Sequence, residues 1–110
     1  MKNRLLLELE RLRKDINRNI INPLVPELAL HDLEPIITMV ARARADYVKA
    51  LIDLSAQVGD AAPSVEQAKE LRDRRIIFEE LVDAMNALET VIQREYMDVI
   101  SSPKPNANQG

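Results

Sequence analysis

The chain has 110 residues, of which 46% are apolar and 30% charged, and its formal net charge is −3. This composition is typical of a globular domain, and a chain of this length buries a core without disulfides or metals. It contains no cysteine, one histidine, three aromatic residues and two glycines. These counts disfavour β-sandwiches, barrels and Gly-rich nucleotide loops, and they exclude disulfide frameworks, thiolate sites and sites that need two histidines. No cofactor is expected.

The charge is unevenly distributed along the chain. Residues 1–22 carry six bases and three acids, whereas the other residues carry nine bases and fifteen acids. Residues 76–100 alone hold six acids and one base. The basic segment can therefore dock on the chain's own acidic part, on a second copy, or on a polyanion. A nucleic acid is not the favoured partner, because the acidic remainder would repel a phosphate backbone.

No targeting or membrane segment is expected. The first apolar run, Leu5 to Leu7, is interrupted by Glu8, and it is shorter than a signal peptide or a spanning helix requires. We therefore expect a cytoplasmic location and no membrane association.

The first predicted helix covers about residues 2–22. Its apolar residues follow steps of four, three, four and four, and they form one stripe: Leu5, Leu9, Leu12, Ile16 and Ile20. Asn22-Pro23 ends this helix, because proline disfavours the α conformation in the residue before it. The connector, residues 23–31, is apolar and is expected to pack on the rest of the protein.

The second predicted helix opens at His31-Asp32, with Asp32 as its N-cap, and it ends before Gly59 in a left-handed turn. Its apolar positions alternate steps of three and four, as in a coiled coil. The seam consists of Leu33, Ile37, Val40, Arg44, Tyr47, Leu51, Leu54 and Val58. Arg44 is the polar member of this seam, and hairpin geometry places it near Glu79. There its guanidinium either fixes the register of the two helices, lies at the rim of their interface, or contacts an anionic ligand.

The third predicted helix begins at Ser64, which forms a capping box with Gln67, and continues to residue 100. A short loop joins it to the second helix, so the two form an antiparallel hairpin. Residues 91–100 then project beyond the second helix. Because this overhang is apolar, either the connector or another chain should cover it.

The predicted fold is an all-α, three-helix antiparallel bundle in which a short first helix packs on a long helical hairpin. We expect one domain over residues 1–100, a disordered tail over residues 101–110, and a homodimer formed through the heptad faces. The residues predicted to bind a partner are Ile92, Tyr96, Val99, Ile100, Arg44, Arg11 and Lys14.

The polar residues form no convincing catalytic or metal-binding constellation. His31, Asp32 and Glu34 are explained better by helix-start chemistry than by metal binding or acid–base catalysis. The cluster Arg72–Arg75 is flanked by glutamates, which is typical of a solvated, salt-bridged face rather than a phosphate site.

Residues 9–16, with the sequence Leu-Glu-Arg-Leu-Arg-Lys-Asp-Ile, resemble the opening of the first helix in AroQ-type chorismate mutases. Those are small all-helical dimers whose sites are lined with Arg, Lys, Glu and Gln. The resemblance implies that Arg13 would hold a substrate carboxylate. The first helix of that family is long and unbroken, whereas Pro23 and Pro26 end the helix here. The family's other site residues therefore cannot be aligned with positions of this chain.

The leading functional hypothesis is a non-catalytic protein–protein interaction module, such as an adaptor, an assembly chaperone or a regulatory subunit. Its partner would be a second copy, another protein, or both. The alternatives are a small enzyme of the chorismate mutase type and a nucleic-acid-binding regulator that uses the basic first helix.

Overall fold

The computed structural model describes residues 2–25 and 27–100. In chain order, the elements are α1 (Lys2–Ile21), β1 (Glu27–Ala29), α2 (Leu30–Val58), α3 (Val65–Gln93) and β2 (Asp98–Ile100). The all-α prediction is confirmed, since three helices make up most of the described chain and α2 and α3 pack as a hairpin. The tail predicted to be disordered, residues 101–110, lies outside the described residues.

The chain divides into two compact units. The hairpin unit is Pro35–Asn86, and the terminal unit contains the described residues up to Glu34 and from Ala87 to Ile100. The expectation of a single domain stays a prediction.

Both ends of the hairpin loop have the predicted capping. Gly59 has a φ of 60°, and its N–H donates to the Ser55 carbonyl at 3.1 Å, which closes α2 with a left-handed residue. The Ser64 N–H donates to Gln67 Oε1 at 2.9 Å, and the Gln67 N–H donates to Ser64 Oγ at 3.1 Å. This reciprocal pair is a complete capping box, so the predicted start of α3 is confirmed.

The hairpin seam on α2 differs from the predicted seam by one residue at several turns. Val40 is buried as predicted, but its neighbour in the seam is Ala43, only 7% exposed. The seam position predicted for Arg44 is wrong, because Arg44 is exposed and its guanidinium lies 5.1 Å from the centre of the Phe78 ring. Tyr47 also contacts Phe78, with ring centres 6.0 Å apart. The register predicted from the loop, which placed Arg44 near residue 79, therefore agrees with the contacts to within about one residue.

The terminal unit contains a small parallel sheet that the sequence analysis did not predict. Glu27, Leu28 and Ala29 of β1 pair with Asp98, Val99 and Ile100 of β2, respectively. The connector therefore pairs with the end of the overhang, as one of the two predicted alternatives required. The buried apolar residues of this unit are Ala29, Leu33, Tyr96 and Met97.

The prediction that α3 continues to residue 100 is wrong, because the helix ends at Gln93. The Tyr96 N–H donates to the Val91 carbonyl at 2.9 Å, and the Glu95 N–H donates to the Ile92 carbonyl at 3.1 Å. With Glu95 at a φ of 60°, this pattern is a Schellman motif, in which a left-handed residue follows the helix. Glu95 occupies the position that glycine usually takes in this motif. The sequence therefore contains no glycine that would predict the end of α3.

The predicted role of Asp32 as the N-cap of α2 is also wrong. The helix begins at Leu30, which places Asp32 in the third helical position rather than at the N-cap. Its Oδ2 accepts a hydrogen bond from the Ala29 N–H at 2.8 Å, the contribution that the acidic member of a capping box makes.

Candidate functional site

The most conspicuous surface of the described chain is the apolar face of α1. The α1 stripe is the predicted set Leu5, Leu9, Leu12, Ile16 and Ile20. All five side chains are exposed, at fractions between 43 and 67%. Burial inside a bundle, which was predicted for this face, is not observed within the described residues, so the three-helix bundle is unconfirmed.

The face of α1 that makes contacts inside the terminal unit is polar. Lys14 Nζ lies 3.6 Å from Glu95 Oε2. Arg18 donates to the Glu95 carbonyl at 2.7 Å and to Asp98 Oδ1 at 2.5 Å. At about 100° per residue, Lys14 and Arg18 project on the side of the helix opposite the α1 stripe. The helix is therefore held by charged contacts while its apolar side faces solvent.

The two edges of the α1 stripe differ in charge. When Leu5 and Leu12 are assigned to heptad position d, Leu9 and Ile16 take position a. Glu8 and Asp15 then occupy the g positions along one edge, and Leu6 and Arg13 occupy e positions along the other. The g edge is thus acidic, with Glu8 Oε1 lying 3.8 Å from Arg4 Nε of the same helix, and the e edge is apolar and basic.

A concavity of about 660 Å³ lies beside the polar face of α1. It is lined by Leu7, Glu10, Arg11, Arg13, Lys14, Asp15, Arg94 and Tyr96. Four bases against two acids make it electropositive. Arg11 and Arg13 leave the helix about 160° apart, so they approach the concavity from different sides of α1.

The other residues predicted to bind a partner are partly covered by the chain itself. Tyr96 is only 6% exposed, whereas Ile92, Val99 and Ile100 are half-buried. Because β1 pairs with residues 98–100, the reason for expecting another chain at the overhang is weaker. A partner-binding role for these residues stays a prediction.

The hairpin unit has an apolar patch of its own that the sequence analysis did not single out. Ile37, Val48, Leu51 and Ile52 are about half or more exposed on α2. The wide apolar face of this helix was the available signal, because one hairpin partner covers only part of such a face.

The described residues hold no group of three or more His, Asp or Glu side chains placed to bind a metal ion. His31 is exposed, and its Nε2 lies 3.4 Å from Asp32 Oδ1. A second concavity, about 330 Å³, lies in the hairpin unit and is lined mainly by polar residues, including the ion-paired Lys49 and Asp53. Within the part of the chain that is described, none of the helices has the length and apolar content that crossing a membrane requires.

The comparisons with known proteins returned no match: no family model, no curated protein and no solved structure is significantly similar to this chain.

Proposed function

We propose that this protein is a non-catalytic protein–protein interaction module and that the α1 stripe is its principal contact surface. The supporting observation is the exposure of all five stripe residues. At roughly 200 Å² for each fully exposed side chain, these five present roughly 500 Å² of contiguous apolar surface, near the upper end of what monomers expose.

The mode of attachment of α1 also supports this role. Lys14 and Arg18 fix the opposite face of the helix to the end of the overhang. The stripe is consequently presented outward on a helix that is held at Lys14 and Arg18, which lowers the cost of ordering the C-terminal half of α1 when a partner binds.

The test replaces two stripe leucines while keeping helix propensity high. Leu9→Gln combined with Leu12→Gln removes apolar area from the stripe and keeps helix propensity high. Leu7→Gln is the control, because Leu7 is 64% exposed, more than either of these leucines, but projects from the other side of the helix. Helicity is checked by circular dichroism. Association is measured by light scattering of the purified protein and by direct titration of any partner first found by capture and then purified.

The proposal predicts that association, with a second copy or with a purified partner, is lost in the double variant and kept in the Leu7→Gln control. It is contradicted if the double variant associates as strongly as the wild type, or if no association involving the wild type is found.

A further inference from the structure

Resting on the proposed function, we infer that the occupant of the α1 stripe is α1 of a second copy, aligned in parallel as a short two-stranded coiled coil. The inference names one partner and one orientation. Both follow from the spacing of the stripe and from the charges along its edges.

The spacing supplies the seam. Leu5, Leu9, Leu12 and Ile16 occupy successive d, a, d and a positions, with leucine at both d positions, a pattern compatible with two parallel strands. Asn19 takes the next d position and Ile20 lies at the flanking e position. With Ile20 included, two copies of the stripe present roughly 1,000 Å² together, close to the lower limit for a specific interface. The surface is thus sufficient for a dimer of moderate affinity.

The charges select the orientation. In a parallel pair, the g residue of one helix faces the e residue five positions later on the other. Glu8 therefore meets Arg13 of the second copy, and the two-fold symmetry repeats this opposite-charge pair. In an antiparallel pair, g faces g and e faces e. When Leu9 layers on Leu12 of the second copy in this orientation, Glu8 faces Glu8 and Arg13 faces Arg13 of that copy, so like charges would meet at both edges.

The same charges disfavour an anionic membrane as the occupant, although a basic amphipathic helix is a common membrane-surface element. A helix lying on such a surface carries bases at the margins of its apolar face. Here Glu8 and Asp15 border the α1 stripe along one whole edge, where they would approach the lipid phosphates.

The first experiment uses a single new thiol, because the chain has no cysteine of its own. In the parallel pair, the two Cα atoms at position 5 face each other across the seam, within the Cα–Cα distance of 4.4–6.8 Å that a disulfide needs. Two copies of a Leu5→Cys variant can therefore form a disulfide. In an antiparallel pair that layers Leu5 on Ile16, the two positions lie roughly 16 Å apart along the helix. Oxidised glutathione should crosslink Leu5→Cys efficiently and Leu7→Cys, on the opposite side, poorly.

The second experiment exchanges the charges. Glu8→Arg and Arg13→Glu each create two like-charge pairs in a parallel homodimer, so each should weaken self-association by about ten-fold at low salt. When the two variants are mixed, both contacts become attractive and a heterodimer should form in preference to either homodimer. Glu10→Arg, which makes the same charge change outside the e and g positions, should self-associate like the wild type.

The outcomes separate this inference from the proposed function. A dimer that neither crosslinks at Leu5→Cys nor shows the charge-exchange preference overturns the parallel arrangement and leaves the interaction role intact. A monomer that binds a different protein through the stripe overturns the second copy as occupant. A monomer that binds vesicles of phosphatidylcholine and phosphatidylglycerol through the stripe overturns both.

Discussion

The most informative stability prediction concerns Glu95, the left-handed residue that closes α3. A non-glycine residue in this conformation costs about 1–2 kcal/mol relative to its preferred backbone geometry. Glycine avoids that cost, although a glycine makes the unfolded chain more flexible and so loses more conformational entropy on folding, which offsets part of the gain. Glu95→Gly should therefore relieve roughly 1 kcal/mol of backbone strain.

The substitution also removes a side-chain interaction, and its value decides the net effect. Glu95 Oε2 lies 3.6 Å from Lys14 Nζ, with the side chains 74 and 44% exposed. An ion pair this long and this exposed contributes no more than about 0.5 kcal/mol. The contact between Arg18 and the Glu95 carbonyl belongs to the main chain and remains. The free energy of unfolding should therefore rise by roughly 0.5–1 kcal/mol.

The assay is urea unfolding followed by circular dichroism, at one fixed protein concentration because any association couples to stability. Glu95→Ala is the matched control, since it loses the ion pair but keeps the strained backbone, and it should be slightly less stable than the wild type. The reasoning is refuted if Glu95→Gly is no more stable than Glu95→Ala.

Three further predictions concern contacts within the units. Ser64→Ala removes the acceptor for the Gln67 N–H and should lower the free energy of unfolding by about 1 kcal/mol in urea titrations; no change would contradict the capping role. Arg44→Ala should lower it by about 0.5–1 kcal/mol through loss of the contact with the Phe78 ring, whereas Arg44→Lys should keep part of that contact. Arg18→Lys preserves the charge but loses the two-pronged geometry, so the thermal midpoint should fall by a few degrees for a loss of about 1 kcal/mol; an unchanged midpoint would contradict this.

Local sequence signals were sufficient where neighbouring residues alone determine the structure. Gly59 supplies a left-handed helix end, and Ser64 with Gln67 supplies a helix start. These features depend on the backbone within one turn, so the structure has them at the predicted positions.

The spacing of apolar residues on α2 could not predict which of two adjacent apolar rows is buried in the hairpin. Ile37 and Leu51 fit the heptad as well as their neighbours do, but in the structure they are exposed, and Ala43 is buried in place of Arg44. When an apolar face is wide, packing against the partner helix decides which row is buried. The end of α3 was missed for a related reason, because the Glu95 backbone is held by the long-range contacts of Arg18 and by the pairing of β1 with β2.

The functional surface was only partly predictable. The α1 stripe is plain in the sequence, but its spacing suits burial within the chain and burial against a second chain equally well. What distinguishes the two is which side of α1 makes the internal contacts, and the pairing of Lys14 and Arg18 with residues about 80 positions away is a tertiary feature.

The measurement that tests the central claim most directly is the mass of the purified full chain in solution, by light scattering after size exclusion at low and at high salt. The account predicts twice the chain mass of 12.5 kDa under both conditions, because apolar contacts at the α1 stripe persist when charge pairs are screened. It also predicts the mass of one chain for the Leu9→Gln, Leu12→Gln variant. A single-chain mass for the wild type at every concentration, or an undiminished dimer in the double variant, would contradict it.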